Sequence, residues 1–318
     1  MTPRGRRVAQ GDGAKRPQHT VLQLVGPFDL ALSLEAAAIF YPREGPLRRA
    51  LRVAVRTEVG PAILEVTQLS RDPARLDVRL SGPGGAPQLR RLAGRLICAE
   101  LDLRPFYRLA SGDPVLGPAT AALSGLKPLQ PASIFEAAVI AITEQQLSMA
   151  AAYRIRTRLI RRLGERVEDL WLFPGPDRFA DTAPSELAAC GLSRQKISYL
   201  KALARSIMAG DVDLESMRRD TDAEIRDRLE ALAGFGRWSV EHVLLHGFGR
   251  PGALPATDVS LQQVVGRYVA RGGRLTAEQL ARSLSPFRPY DGLAAYYLSV
   301  AYRRQDRAKL SRDARADP

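Results

Sequence analysis

Two glycines and one aspartate frame the chemistry open to this chain. Gly234-Phe235-Gly236 separates a helical stretch ending at Leu232 from a new one opening at Arg237. Glycines on either side of one apolar residue let the backbone turn tightly and lie close against a ligand. The helix that follows opens with free N–H groups and the positive end of its dipole. That combination suits one phosphate of a nucleic-acid backbone, held without reading its sequence. The same pattern also describes an ordinary helical hairpin. Asp258, in Pro255-Ala256-Thr257-Asp258, comes 22 residues after Gly236, where a further helix begins with Leu261, Val265 and Tyr268 on its buried face. An aspartate in that place is often no more than an N-cap. An apolar hairpin with Gly-x-Gly followed at that distance by an aspartate at a helix start is the rarer combination.

The other reactive residue types are sparse, and they exclude several chemistries. Cys98 and Cys190 form no CxxC pair, which argues against a disulfide framework, a zinc site and an iron–sulfur cluster, and fits a reducing compartment such as the cytoplasm. His242 and His246 are four apart, a ligand spacing on a helix, but Val243 follows His242 where a metal-binding HExxH motif has glutamate. Packed or exposed imidazoles are therefore expected, and no metal or redox cofactor. The net charge of +13 points to a polyanionic partner. No apolar run reaches the roughly 18 residues of a membrane span. No strongly apolar helix face opposes the basic residues, so a membrane partner is not expected.

The elements that must position these groups fall into two parts. Residues 1–20, with Arg4, Arg6, Arg7, Lys15 and Arg16 against Asp12, read as a disordered basic arm. Residues 21–125 read as a small α+β domain. Its helix runs from Leu30 to Phe40, its strands lie near 52–55, 62–66 and 75–80, a second helix lies near 87–101, and the helices cover one face. Residues 126–302 read as all-helical, with capping boxes at Ser133/Glu136 and Thr221/Glu224. Arg154, Arg156, Arg158, Arg161 and Arg162 share a helix near 148–163. Residues 303–318 read as a polar tail. The fold class is mainly α with a small N-terminal α+β domain.

With these residues in view, the sequence resembles the helix-hairpin-helix DNA glycosylase superfamily, and within it the AlkA-type 3-methyladenine DNA glycosylase II family. Gly26-Pro27-Phe28-Asp29 and the strands after it resemble that family's N-terminal sheet domain. Phe135-Glu136 through Glu144-Gln145-Gln146-Leu147-Ser148 resembles its segment entering the minor groove. Gly191-Leu192-Ser193 with Lys196, the hairpin Gly234-Phe235-Gly236-Arg237-Trp238-Ser239 and Pro255…Asp258 complete the match. The resemblance implies monofunctional excision of alkylated purines from damaged double-stranded DNA by base flipping, with Asp258 as the catalytic carboxylate. It implies a base pocket of Trp238, His242 and Tyr296, with Tyr297 as a further candidate wall. DNA contacts are implied at Gly234, Gly236, Arg237, Gln145, Gln146 and Lys196. Bifunctional members carry a lysine nucleophile where this chain has Trp238, so no strand cleavage is expected. A monovalent cation at the hairpin carbonyls is also a property of relatives. Glu144 stands where relatives often have glycine, and a carboxylate near phosphates must point away or be paired. A monomer without an obligate protein partner is expected. The rival expectations are a glycosylase for deaminated or oxidised bases and a binder of DNA structure without catalysis.

Overall fold

The computed structural model describes residues 18–40, 50–269 and 273–316, with side chains described for all of these except 39–40 and 306–316. The chain opens with β1 (Gln18–Gln23), α1 (Leu30–Phe40), β2 (Ala50–Arg56), β3 (Pro61–Arg71), β4 (Ala74–Ser81) and α2 (Ala86–Leu96). The four strands form one antiparallel sheet in the order β1-β4-β3-β2. Register follows the period-two pattern. Leu51 faces Val66, Val66 faces Val78 and Leu64 faces Leu80, and these side chains share a core with Leu30 and Leu34 of α1 and Leu89, Leu92 and Leu96 of α2. The opposite face is charged, with Arg52, Glu65 and Arg79 side by side across three strands. A one-residue slip would move every apolar residue onto that charged face, so the pattern fixes the pairing.

The basic arm expected over residues 1–20 lies outside the described residues as far as 17, and 18–20 belong to β1, paired with Val78–Leu80. Thr20, Leu22 and Leu24 carry the alternation there, hidden in sequence by the polar residues around them.

Next come α3 (Leu103–Ala110) and α4 (Leu116–Ala122). Their buried apolar residues are not part of the sheet core. Phe106, Leu116 and Leu123 join the C-terminal helices in a separate core. Tyr107 and Tyr297 lock this arrangement, their hydroxyls 2.9 Å apart, with Tyr297 Oη donating to Leu126 O at 2.7 Å. This core therefore joins residues from both sides of position 125.

A second core is built by α5 (Ile134–Glu144), α6 (Met149–Leu163), α7 (Pro176–Asp181), α8 (Pro184–Ala189), α9 (Arg194–Ala209), α10 (Asp222–Glu230) and α11 (Arg237–His246). Ser133 caps α5 by accepting from Glu136 N–H, and Thr221 with Glu224 forms a full capping box on α10. Between α6 and α7 a ribbon of β5 (Glu165–Val167) and β6 (Leu170–Leu172) reaches the edge of the sheet, where Arg52 grips Asp169 with two hydrogen bonds of 2.9 and 3.1 Å. The third core is completed by α12 (Val259–Val269), α13 (Ala277–Leu284) and α14 (Asp291–Ala316). The last helix continues through the stretch expected to be a tail, as far as Ala316, in keeping with the helix preference of its arginine, lysine and alanine residues. Among the described residues no helix is long and apolar enough to cross a membrane.

Candidate active site

One cavity of about 830 Å³ draws its walls from both helical cores, among them Glu144, Gln146, Trp238, His242, Asp258 and Tyr296. Asp258 stands at the start of α12. Its Oδ1 accepts from Leu261 N–H at 2.9 Å, the bond of an N-cap, and its Oδ2 accepts from Trp238 Nε1 at 2.8 Å. The capping bond holds the carboxylate against the first turn of α12. The tryptophan bond aims it into the cavity and ties α11 to α12.

Trp238 begins an aromatic row along α11. Its ring centroid lies 5.0 Å from that of His242, His242 lies 4.7 Å from His246, and His246 meets Tyr296 edge-on at 6.0 Å. Burial pushes the His242 imidazole down to about 4 against the pull of Asp258, and burial holds His246 well below its ordinary value. Both rings are neutral near pH 7. His246 was not among the residues expected here, although its spacing of four from His242 and eight from Trp238 puts it on the same helix face. Tyr297 is fully buried in the third core and is no wall of the cavity. No cluster of three or more metal-ligating side chains occurs among the described residues.

Glu144 ends α5. Its Oε1 accepts from Arg156 at 2.9 Å and its Oε2 lies 3.9 Å from His242 Nε2. Burial raises its pKa while Arg156 lowers it and Asp258 raises it further. The carboxylate is thus paired and turned into the cavity. Arg156 is buried by this pairing, and Arg162 binds Glu186 at 2.8 Å, so the arginine helix does not present a uniform row to an outside partner.

The expected DNA contacts divide in two. Gln145 Nε2 donates to Gly234 O at 2.7 Å and to Ser239 Oγ at 2.8 Å, tying the end of α5 to the hairpin. Lys196 Nζ donates to Thr143 O and Gln145 O, at 2.8 and 2.7 Å, and so neutralises the carbonyl end of α5. Gln146, in contrast, is exposed at the cavity mouth with φ of 54°. Arg237 is exposed at the start of α11.

In the hairpin Phe235 is buried in the second core. Gly234 has φ of +93°, and a Cβ on it would lie 2.5 Å from the Tyr199 ring. Gly236 is different: it faces open space and gives α11 no side-chain cap. Nothing in the chain's own packing requires glycine there. The carbonyls of Leu232, Gly234 and Gly236 each accept one hydrogen bond, from Phe235 N–H, Gln145 Nε2 and Val240 N–H, and each keeps a second lone pair.

Residues 139–289, which hold the hairpin, Asp258 and most of the cavity, match the family model described as the HhH-GPD superfamily base excision DNA repair protein. DNA-3-methyladenine glycosylase 1 of Schizosaccharomyces pombe is 30% identical over 52% of this chain and 70% of that protein. The chain belongs to the HhH-GPD superfamily. The chain is also similar to the DNA-3-methyladenine glycosylase of Bacillus subtilis, 26% identical over 62% of this chain and 66% of that protein, a little under two thirds of its length. The fold is shared with the solved 3-methyladenine DNA-glycosylase from Archaeoglobus fulgidus, with a TM-score of 0.77 and 22% identity over 89% of this chain and 98% of that one. The family match thus spans residues 139–289, and the likeness in fold extends to 89% of the chain.

Proposed function

We propose that this chain is a monofunctional DNA glycosylase that hydrolyses the N-glycosidic bond of an alkylated purine flipped out of duplex DNA. The observation that carries this reading is the Asp258 carboxylate, fixed by Trp238 and Leu261 at the edge of an aromatic-walled cavity. Loss of a base from its sugar builds positive charge on the sugar ring. An ionised carboxylate fixed beforehand beside that ring stabilises the charge as it develops and orients the attacking water. The Trp238–His242–His246 row offers ring faces to a base that is electron-poor because it is alkylated.

Binding to the duplex follows from the hairpin. Gly236 leaves room for a phosphate at the uncapped start of α11, with Arg237 beside it. Gln146 occupies the mouth of the cavity, where it meets the gap left by a flipped nucleotide, while Gln145 and Lys196 hold the segment in position. A monovalent cation at the hairpin would rest on the carbonyls of Leu232 and Gly234 and add positive charge toward the same phosphate. Among the described residues lining the cavity none is lysine, which supports hydrolysis without a Schiff-base nucleophile and without strand cleavage. The names of the two relatives, both DNA-3-methyladenine glycosylases, support the choice of an alkylated purine.

The test is base release from methylated duplex DNA by the wild type beside Asp258→Asn, with strand integrity read before and after alkali. Release by the wild type, its loss in the variant, and breaks only after alkali are expected. No release by the wild type from alkylated DNA, with duplex binding intact, would replace this reading with another lesion or with binding alone.

A further inference from the structure

Glu144 and His242 form a polar notch in the cavity wall that the proposed hydrolysis does not use. Glu144 Oε1 is fixed by Arg156, and Oε2 stands 3.9 Å from His242 Nε2, too far for a hydrogen bond between them. His242 Nε2 is buried and has no hydrogen-bond partner in the structure. A buried nitrogen in that condition is unfavourable until something supplies the missing bond. The His242 ring is held between Trp238 and His246, so it has little freedom to turn away. Two atoms set this far apart can each lie about 2.9 Å from one amino nitrogen. The notch and Asp258 line the same cavity, which sets two carboxyl groups in its wall.

We propose that the notch between Glu144 Oε2 and His242 Nε2 selects an alkylated base that carries both a positive charge and an exocyclic amino group, as alkylated adenine does. The amino group donates one N–H to Glu144 Oε2. It donates the other to His242 Nε2, the neutral ring keeping its own proton on Nδ1. Alkylation on a ring nitrogen of adenine spreads positive charge onto the amino group, and a bond from such a donor to a carboxylate is charge-assisted. A base with an oxo group in the same place sets its lone pairs against Glu144 and leaves both notch atoms without a donor, so it is rejected. Glu144 is thereby a specificity residue, distinct from Asp258, which faces the sugar. This inference rests on the cavity being a base pocket.

A binding readout keeps the test independent of hydrolysis. The chain has two tryptophans, so Trp171→Phe leaves Trp238 as the sole indole reporter. Its fluorescence is titrated with 1-methyladenosine, a cationic nucleoside with an amino group, and with inosine, a neutral oxo counterpart. The parent is expected to prefer 1-methyladenosine. Glu144→Gln should lower that preference by roughly tenfold or more, the scale of one hydrogen bond to a charged group, by weakening the cation and not inosine. His242→Phe keeps a ring in the stack, removes the notch nitrogen and should lower the same preference, with circular dichroism confirming the fold of both variants. Equal affinity of the parent for the two nucleosides, or an unchanged preference in either folded variant, overturns the proposal. Selective binding by a chain that releases no base would sink the glycosylase reading and leave the selectivity standing.

Discussion

Asp258 carries two loads that a single substitution separates. As an N-cap it needs an oxygen that accepts from Leu261 N–H, and asparagine supplies one. As the stabiliser of a positive sugar it needs a full negative charge. Asp258→Asn keeps an oxygen for Leu261 N–H but turns its amide NH2 toward the Trp238 indole N–H, so it is expected to lower stability by about 1–3 kcal/mol, the cost of one lost buried hydrogen bond. Base release should fall by about a hundredfold to a thousandfold, the usual cost of removing one preorganised electrostatic contact. If base release, measured well below the variant's melting temperature, fell no further than its loss of folded protein, the carboxylate would be structural. His242 carries a second prediction, because burial holds it at about 4 against 6.5 for the free group. Between those values the unfolded chain binds more protons than the folded one, so stability falls as the pH drops from 6.5 towards 4, by up to about 1.4 kcal/mol per pH unit for one group. His246 acts in the same direction. Glu144, whose pKa is raised, acts oppositely, and Asp258 and Arg156 are the other charges that His242 senses. His242→Phe should make the acid limb of a Tm-against-pH curve shallower than in the wild type. Parallel curves would show that His242 is not its source.

At the scale of the element, the two hairpin glycines answer to different constraints. Gly234→Ala adds a methyl at positive φ into the Tyr199 ring, and is expected to cost about 2–4 kcal/mol of stability. Gly236→Ala meets nothing in the protein. Its expected effect is a near-normal melting temperature with weakened duplex binding, because the methyl takes the space of the phosphate. Equal duplex affinity for the wild type and Gly236→Ala would place the phosphate elsewhere. Lys196 is an expected DNA contact whose ammonium the structure sets on the last carbonyls of α5. Lys196→Met should cost about 1–2 kcal/mol of stability without altering the slope of log affinity against log salt, whereas loss of a phosphate contact lowers that slope by about 0.9. These elements also mark how far local sequence reaches. The hairpin and the caps of α5 and α10 are written in residues three or four apart. The carbonyl partners of Lys196 and Gln145 are not, since backbone oxygens leave no trace in side-chain patterns. The Trp238–Asp258 bond joins two helices twenty residues apart in sequence, and only the packing of α11 against the start of α12 brings it about.

On the scale of the whole molecule, three cores divide the work. The sheet core is set by period-two patterning that sequence displays openly. The allegiance of α3 and α4 to the C-terminal helices depends on contacts such as Tyr107 with Tyr297, 190 residues apart, which no local pattern encodes. The cavity draws walls from the second and third cores, so its chemistry exists only once both have formed. Over this framework lies a net charge of +13, and its distribution bears on binding more than on fold. Residues 1–17 hold Arg4, Arg6, Arg7, Lys15 and Arg16 against Asp12. Truncation after residue 17 spares β1, whose pairing with β4 begins at Gln18, whereas truncation after residue 20 would remove half of an edge strand and confuse binding with folding. The shorter chain should melt as the full one does and release base at the same maximal rate, because the cavity draws its walls from Glu144 onward. Its duplex affinity should become less sensitive to salt, the slope of log affinity against log salt falling by about 0.9 for each phosphate contact removed with the arm. An identical slope for the two chains would show that these basic residues do not touch the duplex, and would leave the excess positive charge to act from the folded body.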